Sequence, residues 1–157
     1  MIPEEIKTLP VVAALAEAMP DSVVGGNRAF GELTLEITPE RIADVCRFLK
    51  HDQKFVRVST VTGVDRYPEE PRFEVVYHLH SPERNERLRL KCRLASANPE
   101  IDSVTPVWGG ANWYERETFD LFGIRFRNHP DLRRIMLPDG WEGYPLRKDY
   151  PVTGDRV

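Results

Sequence analysis

The chain has 157 residues, 41% of them hydrophobic and 30% charged, with a formal net charge of −3. This is the composition of one soluble globular domain with one sizeable core, and it gives no general pull toward nucleic acid or anionic lipid. The longest apolar run, near the start, is interrupted by Glu17 and is too short to cross a membrane. The opening residues hold no basic region and no cleavage site, so no secretory leader is expected, and their acidity argues against a mitochondrial one. Cys46 and Cys92 stand far apart, with no CxxC and no Cys/His cluster. A metal or iron–sulfur site held by this chain alone is therefore not expected, and the compartment reads as reducing and cytoplasmic.

In chain order, residues 4–18 read as a short helix whose first turn is broken by Pro10. Residues 22–24 and 31–37 read as two strands around a hairpin-type turn at Gly25, Gly26 and Asn27. Leu33, Leu35 and Ile37 alternate with polar residues, the period of a half-buried strand. Thr38 as N-cap, Pro39 at the first position and Arg41 two further on open a second helix, with an apolar stripe of Ile42, Val45, Cys46 and Leu49. Three strands follow, at 55–65, 72–80 and 87–94, divided by turns at 68–71 and 81–86. The last is the cleanest: Leu88, Leu90, Cys92 and Leu94 point one way and Arg87, Arg89, Lys91 and Arg93 the other. A final helix starts at Asn112, with Asn112 as cap, Glu115 reaching back in a capping box and Gly123 ending it. The order helix, two strands, helix, three strands predicts a two-layer α+β domain with helices over one face of a mixed five-stranded sheet. One domain is expected overall: a core at 1–110, then a helix and an extended interface segment at 111–157.

The charged clusters suggest chemistry that simpler readings absorb. His78 and His80, two apart on one strand face, lack an evident third metal ligand and fit a solvated sheet face. The basic row at 87–93 lacks the interleaved aromatics of a nucleic-acid platform, so its charges are expected to meet Glu74 and its neighbours or a partner protein. Arg116 and Asp120, four apart, are expected to pair on a helix face, with Glu117 half buried against Arg133 or Arg134. These carboxylates read as an ion-pair lattice in preference to an acid–base pair. His129 is expected to cap a helix end or bond a carbonyl, next to a turn fixed by Pro130.

The last quarter carries most of the information. Residues 111–157 hold eight acidic and eight basic side chains, so the segment is neutral, and Trp113, Phe126, Trp141 and Tyr150 stand among those charges. Such a composition suits the core of a protein–protein interface. Its Pro and Gly content predicts that 127–150 is loosely held until a partner covers it.

The run from Glu115-Arg116-Glu117 through Asp120, Gly123, Phe126, His129-Pro130 and Leu132-Arg133-Arg134 to Leu137-Pro138, Trp141 and Pro145-Leu-Arg-Lys-Asp-Tyr150 closely resembles the motif of the C subunit family of NADH-quinone oxidoreductase, respiratory complex I. The match spans about 40 residues. Met136 stands where Leu is common, and the chain ends soon after Tyr150, where many members carry a longer tail. The resemblance implies a scaffold subunit of the peripheral arm, on the cytoplasmic face of a bacterial or archaeal-type membrane, reached only through the complex. It implies no catalytic, cofactor or metal residue in this chain, with FMN and iron–sulfur clusters in partner subunits. It implies packing against the quinone-site D subunit, with the cluster-bearing B and I subunits nearby. The expected interface comprises Trp113, Glu115, Arg116, Glu117, Asp120, Phe126, His129, Pro130, Arg133, Arg134, Trp141, Arg147, Lys148, Asp149 and Tyr150. An equivalent subunit of an energy-converting hydrogenase, or of an F420- or ferredoxin-linked dehydrogenase, is the alternative.

Overall fold

A computed structural model describes residues 1–153. Its centre is a mixed five-stranded sheet formed by β1 (Val23–Ala29), β2 (Glu32–Ile37), β3 (Arg57–Asp65), β4 (Phe73–Ser81) and β5 (Glu86–Leu94), in the order β1-β2-β5-β4-β3. All neighbours are antiparallel except β2 and β5, which run parallel with Leu33 beside Leu88 and Leu35 beside Leu90. Alternation sets the faces, because side chains of period two fall on opposite sides of a pleat. Phe73, Val75, Tyr77 and Leu79 of β4 and Leu88, Leu90, Cys92 and Leu94 of β5 are all buried.

Helices α3 (Ile42–His51) and α4 (Ala111–Phe122) cover that face, bringing Cys46 toward Cys92 and Glu115 toward Tyr77. Ile42, Val45, Cys46 and Leu49 are each fully buried, as the stripe requires. Each such Leu or Ile contributes about 1.5–3 kcal/mol through removal from water. A second, two-stranded sheet joins β6 (Glu100–Asp102) in parallel to β7 (Arg125–Arg127), tying the chain before α4 to the chain after it.

Several local expectations need correction. The N-terminal helix is two helices, α1 (Glu4–Lys7) and α2 (Pro10–Ala18), with Pro10 at the first position of the second. Gly25, Gly26 and Asn27 are not a turn: β1 runs through them and the chain reverses at Phe30 and Gly31. Gly26 serves close approach, since a Cβ there would stand 2.7 Å from the Thr34 carbonyl oxygen and 3.0 Å from Ile6. Thr38 does not cap through its side chain; a 3₁₀ turn at Pro39–Arg41 precedes α3, and the Thr38 hydroxyl donates to the Asp21 carbonyl at 3.0 Å. Gly110, not Asn112, is the N-cap of α4, so the capping box does not form. Its intended acid, Glu115, faces inward instead.

On the open face the basic row divides. Lys91 and Arg93 lie 3.4 and 3.8 Å from the buried Glu74, and Arg66 reaches the same acid at 3.2 Å. Arg89 pairs with Glu32 at 2.6 Å.

Candidate functional site

After β7 no regular element follows among the described residues, yet two buried acids fix the course of the segment and a third lies 3.9 Å from its His129. Asp120 and Asp65 receive donors from the segment itself, whereas Glu115 receives its donors from the chain before α4.

Asp120, fully buried near the end of α4, is the first. Its Oδ2 accepts the backbone N–H groups of Ile135, Met136 and Leu137 at 3.0, 2.7 and 2.9 Å. Its Oδ1 accepts from Arg134 at 2.7 Å, and that guanidinium also donates to the carbonyls of Asp120 and Gly143. Burial alone pushes the carboxyl up; the Arg134 guanidinium and the three amides overcome this and hold it below the usual range. The expected Arg116–Asp120 pair is therefore absent. Arg116 donates instead to the carbonyls of Arg133 and Arg134, at 3.0 and 2.9 Å, with its guanidinium over the Trp113 ring. Glu117 is exposed, contrary to expectation, because the inward positions of α4 belong to Glu115, Thr118 and Asp120. Arg133 points outward and pairs with the exposed Asp131 at 2.8 Å.

The second acid is Asp65, at the end of β3. Arg72, the residue just before β4, grips it with two bonds of 2.8 Å and reaches on to Asp149 at 2.8 and 3.2 Å. Asp65 also accepts the Lys148 amide at 2.8 Å. The bidentate fork holds the Asp65 carboxyl well below its ordinary value, and Asp65 and Asp149 raise the Arg72 guanidinium in return. The Tyr67 and Phe73 rings stand 4.9 and 4.8 Å from its charge centre. Nothing in the sequence pattern singles out this pair, although Asp65 and Arg72 stand either side of the turn at 68–71, where an acid and a base close a loop.

The third is Glu115, with no exposed surface. It accepts the Ser103 hydroxyl at 2.6 Å and the Val104 amide at 2.7 Å, and the buried His129 ring lies 3.9 Å away. His129 accepts the Asp131 amide at Nδ1, so Nε2 carries the hydrogen and donates to the Asn112 carbonyl at 3.2 Å. The expected carbonyl bond is thus present. Burial pushes Glu115 up to about 7 against the pull of its two donors, and burial pushes His129 down.

The pH consequence of Glu115 can be signed. Its folded value lies above the ordinary 4.5, so the folded state holds the proton more tightly and stability falls as pH rises from about 4.5 to about 7. The cost at neutral pH is of order 3 kcal/mol. His129 runs the other way, because its lowered value favours folding as pH rises toward 6.5. A Glu115→Gln chain is expected to gain thermal stability over the unaltered chain progressively between pH 5 and 8, with the two nearly equal at pH 4.5. Thermal melts across that range test this, and a constant difference at all pH values refutes it.

Around the acids, aromatic and backbone contacts close the site. Gly123 ends α4 with φ +75°, and a Cβ there would meet the Arg147 guanidinium at 2.6 Å and the Tyr144 ring at 2.7 Å, so only glycine fits. Arg147 donates to the Phe122 carbonyl at 2.7 Å, beneath the Tyr144 ring. Phe126 is buried; Trp141 and Tyr150 are half-buried. Trp113, Pro130, Lys148 and Asp149 are exposed, as are the side chains of Met136 and Leu146.

Fold and site together define a class: a small α+β domain that uses its own buried acids to fix a long irregular C-terminal surface. The chain belongs to the family described as respiratory-chain NADH dehydrogenase, 30 Kd subunit, whose model matches residues 35–156. It is 47% identical over 149 residues to the C subunit of NADH-quinone oxidoreductase from Roseiflexus castenholzii, covering 94% of this chain and 86% of that one. It is 46% identical over 144 residues to the C subunit from Geobacter sulfurreducens, covering 91% and 89%. Among solved structures it resembles the trypsin-resistant fragment (1–134) of Nqo5, with a TM-score of 0.67 and 31% identity over 76% of this chain and 97% of that one. It also resembles a chain of the membrane-bound sulfane sulfur reductase, an archaeal respiratory membrane complex, with a TM-score of 0.77 and 26% identity over 90% and 84%.

Proposed function

We propose that this chain serves as the C subunit of an NADH-quinone oxidoreductase and that its part there is structural. The complex passes electrons from NADH through FMN and iron–sulfur centres to quinone and couples this to ion translocation. The identity of 47% to a C subunit across 94% of the chain carries this reading. The pinned segment supports the structural role, because fixing an irregular surface in advance lowers the ordering cost of docking. Trp113, Met136 and Leu146, each more than half exposed, supply its apolar contacts, with Glu117, Pro130, Arg133, Lys148 and Asp149 around them. The buried Glu115, Asp120 and Phe126 and the half-buried Arg134 shape that face from beneath. The D subunit is the expected occupant, with the B and I subunits nearby, on the cytoplasmic side of the membrane. Among the described residues no helix is long and apolar enough to cross a membrane, and attachment through the complex suits that.

Redox centres are assigned to the partners. Cys46 and Cys92 are both buried, burial pushes both thiols up, and two thiols cannot hold a cluster that needs four. The purified chain is expected to be colourless; stoichiometric iron or flavin in the folded monomer refutes the assignment.

The decisive experiment is to tag the chain in its host, solubilise native membranes in mild detergent and identify what co-purifies. The D, B and I subunits with NADH-oxidising flavin activity are expected. The likeness to the sulfane sulfur reductase chain favours a second reading, the equivalent subunit of a hydrogenase or of an F420- or ferredoxin-linked complex. Co-purification of such an enzyme's subunits, without an NADH-oxidising module, establishes that reading instead.

A further inference from the structure

The open face of the sheet has two unlike ends. At one, Glu74 answers Arg66, Lys91 and Arg93 within the chain. At the other, Arg57 of β3, His80 of β4 and Arg87 of β5 stand directly opposite one another across three strands. Among the described residues none of these three side chains has an ion-pair or hydrogen-bond partner. They line a concavity of about 370 Å³ together with Ser59, His78 and Arg89. Glu32, the acid on its rim, is already taken by Arg89.

The β1–β2 reversal lies at this same end, because Leu33 pairs with Leu88 and Leu88 with Leu79. Its first turn residue is Phe30, with φ +53° and its ring wholly exposed. A bulky aromatic in the left-handed region is strained, and a fully solvated ring gains nothing in the free chain. Burial in a partner would repay both, as an aromatic anchor beside arginines does at interface hot spots.

We infer that this end of the sheet is a docking face for an acidic polypeptide segment of a neighbouring subunit, with Phe30 seated in an apolar pocket beside it. The inference rests on the proposed subunit role. Charge complementarity names the occupant: two permanent cations without acids, on a chain whose net charge is −3. Spacing favours a polypeptide over a lone phosphate. The backbones of Arg57 and Arg87 lie two strand spacings apart, about 10 Å, a span bracketed by same-face carboxylates two or four residues apart on an extended segment, roughly 7 and 13 Å. No aromatics alternate with these basic groups, as stacking of nucleic-acid bases requires. This face is turned away from α4, so the chain would bridge two neighbours and not merely cap one.

Two measurements on the assembled complex test this. A photo-crosslinking residue at Ser59 is expected to capture a peptide from another subunit bearing several Asp or Glu residues within a short stretch. Capture of nucleic acid or lipid phosphate, or of this chain alone, overturns the inference. Arg87→Glu is expected to leave the thermal midpoint of the free chain undiminished, since Arg87 has no partner to lose, while retention of the chain in the complex falls about ten-fold on salt washing. Equal retention of Arg87→Glu and the unaltered chain overturns the inference but leaves the subunit role standing. If the unaltered chain itself retains no other subunit, both fail together.

Discussion

Replacing Arg72 with Ala is expected to destabilise the free chain by about 3–5 kcal/mol, the usual result of leaving one partner of a buried pair alone. Arg72 and Asp65 are 10% and 2% exposed at the side chain, so solvent screens little of the loss. The change removes the fork on Asp65 and the tie to Asp149 in one step. Lysine is not expected to rescue it, because a point charge cannot make two parallel bonds while lying between two rings. Urea denaturation of the three chains measures this. A loss below about 1 kcal/mol would mean that water replaces the guanidinium and that the grip is not structural.

Asp120→Ala is expected to release the segment more than the fold. Four donors lose their acceptor: three consecutive backbone amides and Arg134. Each buried donor left alone costs about 1–3 kcal/mol unless the segment swings out to water, and swinging out is the cheaper course. In the unaltered free chain the Ile135, Met136 and Leu137 amides are expected to exchange slowly; in the variant they should exchange like open coil while core strands keep their protection. The amount of assembled complex should fall with turnover per assembled complex unchanged. Slow exchange of those amides in the variant would show that packing alone holds the segment. Because the Asp120 carboxyl is held below its ordinary 3.8, its stabilisation is complete above about pH 4 and is lost as pH falls through the folded value. Acid should therefore loosen the segment in the unaltered chain too.

Period-two alternation and the 3.6-residue stripe made the sheet and α3 legible, because those signals arise from burial on one face and need no partner identity. The helix starting near Asn112 and ending at Gly123 was legible for the same reason, with a glycine where the chain must turn left-handed. What misled was every residue with two local uses. Glycines at 25 and 26 suit a turn or a close approach, and only their neighbours decide: Glu36 for Gly25, Ile6 and Thr34 for Gly26. Glu115 suits a capping box or a buried acceptor, and Ser103, twelve residues earlier, decides that. The expectation of a loose 127–150 read only its composition, which denies it regular bonding of its own; that Asp65 and Asp120 supply acceptors from elsewhere was not legible. A charge pair across 77 residues and an amide-to-carboxylate bond across 83 leave no periodic trace.

The parallel pairing of β2 with β5 has a consequence for synthesis. Thr34 and Arg89, neighbours in the sheet, are separated by 55 residues of chain. At the usual pace of translation, β2 waits about 3–10 s on the ribosome before the strand that covers its inner edge has been made. Throughout that interval Leu33, Leu35 and Ile37 stand on an open strand edge, the template that aggregation exploits. The nascent chain is thus most exposed to misassociation between the emergence of β2 and that of β5, the interval in which a holding chaperone would have the most to do.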